Sequence, residues 1–165
     1  MTKTASAAAG MAVDIGVAAE DRAAIAVGLN ALLADTAVLY LKTHGFHWNV
    51  EGPLFQTLHL MFEAQYTELW TATDAIAERI RSLGVPVRAT YGDFEKLSSI
   101  PEAVGAPEAT AMVRELVKGH EAAARAARKV FAHAEKAADA ATVDLLTQRL
   151  QVHEKTAWML RSMVA

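Results

Sequence analysis

The sequence predicts an all-α protein: a four-helix bundle with one long crossover between its second and third helices. Three observations carry this. Apolar residues recur every three or four positions over four long stretches. The first and last connections between those stretches are short, which forces antiparallel neighbours. The middle connection, Gly84 to Pro107, is broken by Pro86, Pro101 and Pro107 and is long.

The first helix is expected from about Ala18 to His47, with Ile25, Leu29, Leu32, Thr36 and Leu39 inward, and it stops before the turn sequence NVEGP. The second runs from about Leu54 to Leu83 and ends at Gly84, with Pro86 behind it. Its core stripe is Leu58, Phe62, Gln65, Leu69, Thr73, Ile76, Ile80 and Leu83. A helix of that length spans roughly 42 Å, and a loop of about 22 residues reaches about 70 Å, so the crossover can run the length of the bundle. It has room for one short helix, in DFEKL. The third helix is expected from about Glu108 to Lys136, with Val113, Leu116, His120, Ala127, Val130 and Ala134 inward. After the break AADAAT a fourth begins near Thr142 and buries Leu146, Leu150, His153, Ala157 and Leu160. Residues 1–17 read as a flexible tail and 18–165 as one domain.

Composition narrows the function. With 16 basic and 19 acidic residues the net charge is −3, giving no general attraction to nucleic acid or anionic membrane. There is no cysteine, which excludes disulfides, thiolate metal sites and iron–sulfur clusters and fits a cytoplasmic protein. No apolar run approaches the ~20 residues that span a bilayer, and the N-terminus is a poor signal peptide.

The second helix carries another stripe, one position beyond its core: His59, Glu63, Thr67, Trp70, Asp74 and Glu78. An ordinary solvated face mixes Lys, Glu and Gln, whereas this one has metal-ligand types and no lysine. His59 and Glu63 are four apart, as are Asp74 and Glu78, so each pair can reach one ion. The eleven residues from Glu63 to Asp74 return to nearly the same face but span roughly 16 Å. Metal–ligand bonds are about 2.0–2.6 Å, so the two pairs of one chain cannot share an ion. A second copy laid antiparallel, with a two-fold axis near Thr67 to Trp70, sets His59 and Glu63 of one chain against Asp74 and Glu78 of the other, twice per dimer. Trp70 would be buried near that axis. His47, returned by the GP turn, is a further ligand. Imidazole with carboxylate suits iron, zinc or manganese, and the low ligand count leaves positions for an oxidant. The alternative is an ordinary interface or solvated face.

The segment THGFHWNVEGPLFQTLHLMFEAQYTELWTATDAIAERIRSLG resembles the signature of the Dps family, the mini-ferritins, and the likeness extends to HEKTAWMLRS. The resemblance implies a ferritin-like fold assembled as a hollow homo-dodecamer. It implies ferroxidase ligands at His47, His59, Glu63, Asp74 and Glu78, although the first acid is often Asp in the family. Trp48 looks like the tryptophan beside the family's centre. The implied activity is oxidation of Fe²⁺ to Fe³⁺, usually by hydrogen peroxide, with storage of ferric mineral. Zinc or manganese can occupy such a site. The chain contains no Glu-x-x-His, so the larger ferritins fit badly. Family pores are lined near the start of the fourth helix, where Asp139 and Asp144 stand; both also suit simple helix-start acids.

The family's other activity is DNA binding. Here the tail has only Lys3, opposed by Asp14 and Glu20, so DNA binding is expected to be weak or absent. Competing readings are a nucleoid-condensing protein with incidental metal sites and a structural bundle without chemistry. His120 and His153 read as hydrogen-bonded core residues, His133 as solvent-facing and His44 as an accessory to His47.

Overall fold

The computed structural model describes residues 12–165. The elements are α1 (Ala19–Asn49), α2 (Phe55–Ser82), α3 (Tyr91–Leu97), α4 (Ala109–Lys136) and α5 (Ala140–Ser162). Four long helices form the bundle, and α3, seven residues long, is the short helix expected in the crossover. The tail expectation falls largely outside the described residues; residues 12–18 are non-helical.

Helix ends follow local chemistry. α2 closes in a Schellman motif: Gly84 has φ +85°, its N–H donates to Arg81 O, and Val85 N–H donates to Ile80 O. α3 opens with a capping box between Thr90 and Asp93. α5 starts two residues before Thr142 because Asp139 caps it, accepting from Thr142 N–H.

The apolar stripes land where their periodicity places them. Every position expected inward on α1 is buried, and on α2 the apolar members of the stripe are buried while Gln65 and Thr73 are half-buried. α1 packs on α2 and α4, α4 packs on α5, and α2 meets α5 over a narrower seam. The α1–α4 seam is close: a Cβ on Gly119 would stand 2.5 Å from Leu39 Cδ1, and one on Gly28 2.7 Å from Val130 Cγ2.

The core divides in two. One cluster gathers Ile25, Leu29, Ile76, Ile80, Val130 and Leu146. The other gathers Leu39, Phe46, Leu58, Phe62, Leu116 and Leu160. Along the helices, Thr36, His120, Arg149 and His153 fall in the intervals between these clusters, and all four are buried. The bundle thus has a polar middle.

The crossover is held by buried groups of α1. Asn30 Oδ1 accepts from Arg88 N–H at 2.9 Å, and Asp35, 1% exposed, accepts from Ser98 and Ser99. α1 is also more apolar than the sequence reading allowed: one window has a mean hydropathy of 1.8, enough by length and composition to cross a membrane. Most of that window is buried inside the bundle, so its apolar surface is spent on α2 and α4.

Candidate metal centre

The turn between α1 and α2 brings His47 and His59 together. Gly52 takes φ +94°, and Phe55 N–H donates to Gly52 O at 3.0 Å, folding α2 back along α1. The two imidazoles then stack at 3.8 Å between centroids and 19° between planes. Each donates to the other's main chain: His47 Nδ1–H to His59 O, and His59 Nδ1–H to His47 O, both at 2.9 Å. His47 O belongs to the last turn of α1, whose carbonyls have no partner within the helix.

This arrangement fixes the tautomers. A carbonyl oxygen only accepts, so each Nδ1 carries a proton, and each neutral ring keeps its lone pair on Nε2. Metal-binding histidines show this pattern: one nitrogen is pinned by a backbone carbonyl and the other is free to ligate.

Of the carboxylates, Glu63, Asp74 and Glu78 are exposed on α2. Among the described residues, no three His, Asp or Glu side chains converge within one chain to hold a metal. The structure brings His47 and His59 together and leaves Asp74 and Glu78 further along the helix, as the rise of ~1.5 Å per residue requires.

Two neighbours, Tyr40 and Tyr66, were not singled out in the sequence. Tyr66 stacks on His44 at 3.9 Å and meets His47 edge-on at 5.2 Å. Tyr40 O–H lies 3.2 Å from His44 Nδ1, and its ring is 5.4 Å from that of Trp70. Trp48 is 64% exposed and packs on His44, 4.0 Å between centroids, not on His47 directly. Burial foremost, and then the neighbouring His47 imidazole, hold His44 below its ordinary value. The signal for Tyr40 was its spacing, seven residues before His47 on the same helix side, as His44 is three before it.

Trp70 is 63% exposed in the single chain. Beside it lies an open groove of about 850 Å³, lined by Tyr40, Leu41, Tyr91, Phe94, Ile100 and Trp70 among others. Trp70, at one end of the stretch of α2 where the two-fold axis is expected, and Thr73 are its lining from α2.

The two acids at the start of α5 differ. Asp139 is 3% exposed, and its carboxylate accepts from Arg79 Nη2 at 2.6 Å and from Thr142 N–H and O–H at 3.1 and 2.6 Å. Burial raises its pKa, but Arg79 and Thr142 outweigh this and leave it below the usual carboxylate value. Asp144 is exposed and accepts from Gln148 at 2.8 Å.

A bundle with one long crossover and a histidine-carboxylate face defines a ferritin-like protein, and the ferritin-like domain family matches residues 27–165. The chain is similar to the "DNA protection during starvation protein 2" of Bacillus anthracis, with 42% identity covering 81% of this chain and 92% of that one. It is similar to a low temperature-induced protein of Nostoc, with 41% identity covering 92% and 86%. Among solved structures, the Dps protein of Bacillus brevis superposes with a TM-score of 0.85 at 38% identity, covering 88% of this chain and 98% of that one. The Dps protein of Vibrio cholerae, a ferritin-like diiron-carboxylate protein, gives 0.89 at 30% identity, covering 94% and 99%. The chain belongs to the Dps family.

Proposed function

We propose that this protein oxidises Fe²⁺ and stores the ferric product in a dodecameric shell, with hydrogen peroxide as the preferred oxidant. The observation that carries the reading is the reciprocal His47–His59 bonding, which leaves an Nε2 lone pair free on each of two stacked rings. His47, His59 and Glu63 of one chain, with Asp74 and Glu78 of a second, hold the iron. The groove beside Trp70 is the surface on which the second copy sits, burying that indole. The large exposed apolar groups there are what a pairing surface requires.

The chemistry balances with two iron ions per peroxide. Each Fe²⁺ gives one electron; the O–O bond takes both; with two protons the oxygens leave as two waters. Two metal ions at one site let both electrons pass without releasing a hydroxyl radical. His47 and His59 enter as neutral Nε2 donors, and the carboxylates offset the rising charge on the metal. Trp48 and Tyr66 pack on His44 beside the histidine pair. Asp144, exposed near the start of α5, is the remaining candidate to guide iron inward, because Asp139 is occupied by Arg79 and Thr142. The protective role is thus removal of Fe²⁺ and peroxide together in the cytoplasm, with DNA binding weak or absent by the composition of the N-terminal tail.

The test is Fe²⁺ oxidation followed by stopped-flow absorbance with peroxide or dioxygen as oxidant, beside size-exclusion chromatography. The expected result is a soluble ferric product from a particle many times 17.7 kDa, faster with peroxide, and slowed in His59→Ala while the particle persists. Precipitated iron from a monomer would contradict the reading.

A further inference from the structure

Among the described residues, three buried side-chain atoms have no hydrogen-bond partner in the protein: His120 Nε2, Arg149 Nε and Gln65 Oε1. They belong to one neighbourhood. His120 and Arg149 are 1% and 5% exposed and stand in the polar middle, between the two apolar clusters. A chain of contacts joins them: His120 to His153, His153 to Arg149, and Arg149 across the bundle to Glu68. Gln65 lies three residues before Glu68 on the same side of α2, in that helix's inward stripe. Thus α2, α4 and α5 each direct one unpartnered group at the interior.

The three groups are chemically complementary. Arg149 Nε carries a hydrogen and only donates. Its guanidinium also donates toward His153 Nε2, so the proton of His153 sits on Nδ1 and that of His120 on Nε2. The reverse tautomers would set an N–H of His153 against the guanidinium. The amide oxygen of Gln65 only accepts. Two donors and one acceptor therefore need a partner that can both accept and donate. A halide would satisfy the donors and repel the amide oxygen. A metal cation would meet hydrogens on both nitrogens and a guanidinium beside them. A water molecule serves all three.

We propose that the bundle interior holds a structural water between α2, α4 and α5. It accepts from His120 Nε2–H and Arg149 Nε–H and donates to Gln65 Oε1. Buried waters make about three such bonds to groups that otherwise have none. The site spans the narrow seam between α2 and α5. Together with the Glu68–Arg149 pair, the water ties α2, the helix that carries Glu63, Asp74 and Glu78, to the rest of the bundle.

Two measurements on the assembled protein test this. The first is a crystal structure at a resolution that shows ordered solvent, from crystals grown with bromide in place of chloride. A density peak within about 3.2 Å of all three atoms, without anomalous signal at the bromine edge, is the expected result. The second is the melting temperature of Gln65→Leu. With the water in place, this change removes its acceptor and is expected to lower the melting temperature by about 2–4 °C. Without it, leucine would complete an apolar stripe between Phe62 and Leu69, remove an unpartnered oxygen and raise the melting temperature. No peak in contact with all three atoms, a peak with bromine signal, or an unchanged or raised melting temperature would overturn the assignment.

Discussion

His120 Nδ1 and His153 Nδ1 lie 3.0 Å apart in the middle of the bundle. Two ring nitrogens at that distance share one proton. Arg149 Nη2 faces His153 Nε2 at 3.5 Å, and a guanidinium only donates. His153 Nε2 therefore accepts, His153 Nδ1–H donates to His120 Nδ1, and His120 keeps its proton on Nε2. Burial, then Arg149, lowers His120 to about 3; burial, then His120 and Arg149, lowers His153 well below its ordinary value. Both rings are neutral at physiological pH.

Acid is predicted to destabilise the fold through this pair. In the unfolded chain both rings titrate near 6.5. Between that value and about 3 the unfolded state binds protons that the folded state refuses. The pair's contribution is full above about pH 6.5 and is lost as the pH falls through this window. Urea unfolding at pH 7 and pH 4 measures it. His120→Asn is expected to flatten the pH dependence, and an unchanged slope would count against this origin.

The Glu68–Arg149 ion pair is asymmetric. Arg149 Nη2 donates to Glu68 Oε2 at 3.0 Å, and the side chains are 6% and 39% exposed. Removing Glu68 leaves a buried guanidinium without its counter-ion, whereas removing Arg149 leaves a carboxylate that water can reach. Glu68→Gln is predicted to cost about 3 kcal/mol and Arg149→Met distinctly less. Denaturant midpoints would show the order, and the reverse order would contradict it.

Asp139 and Asp144 separate capping from ion guidance. Asp139→Ala removes the α5 cap and the partner of Arg79, and is predicted to cost about 1–2 kcal/mol for the cap alone. Asp144→Ala is predicted to leave the melting temperature within about 2 °C, as for an exposed position, while slowing mineral growth. Melting curves beside iron-uptake rates distinguish the two roles.

The fold was legible because α1, α2, α4 and α5 each bury an apolar stripe at helical spacing, and the crossover was legible from its prolines and its reach. Pairing of two chains is an expectation that follows from the rise per residue between Glu63 and Asp74 alone. Other features depend on partners distant in sequence. The Asp139 carboxylate is claimed by Arg79, sixty residues away. Lys42 is buried because Glu115 lies across the α1–α4 seam. His120 and His153 read as core histidines and are so; their contact with each other depends on the packing of α4 against α5.

The claim that the metal centre is completed by two chains is tested most directly by mixing variants. His59→Ala and Asp74→Ala each remove one side of every site. When the two chains are dissociated, mixed equally and reassembled, a mixed pair has one site lacking both residues and one site with both intact. Half of the pairs are mixed and half of their sites are whole, so about one quarter of the wild-type oxidation rate is predicted to return. A mixture no faster than either parent would show that the ligands act within one chain.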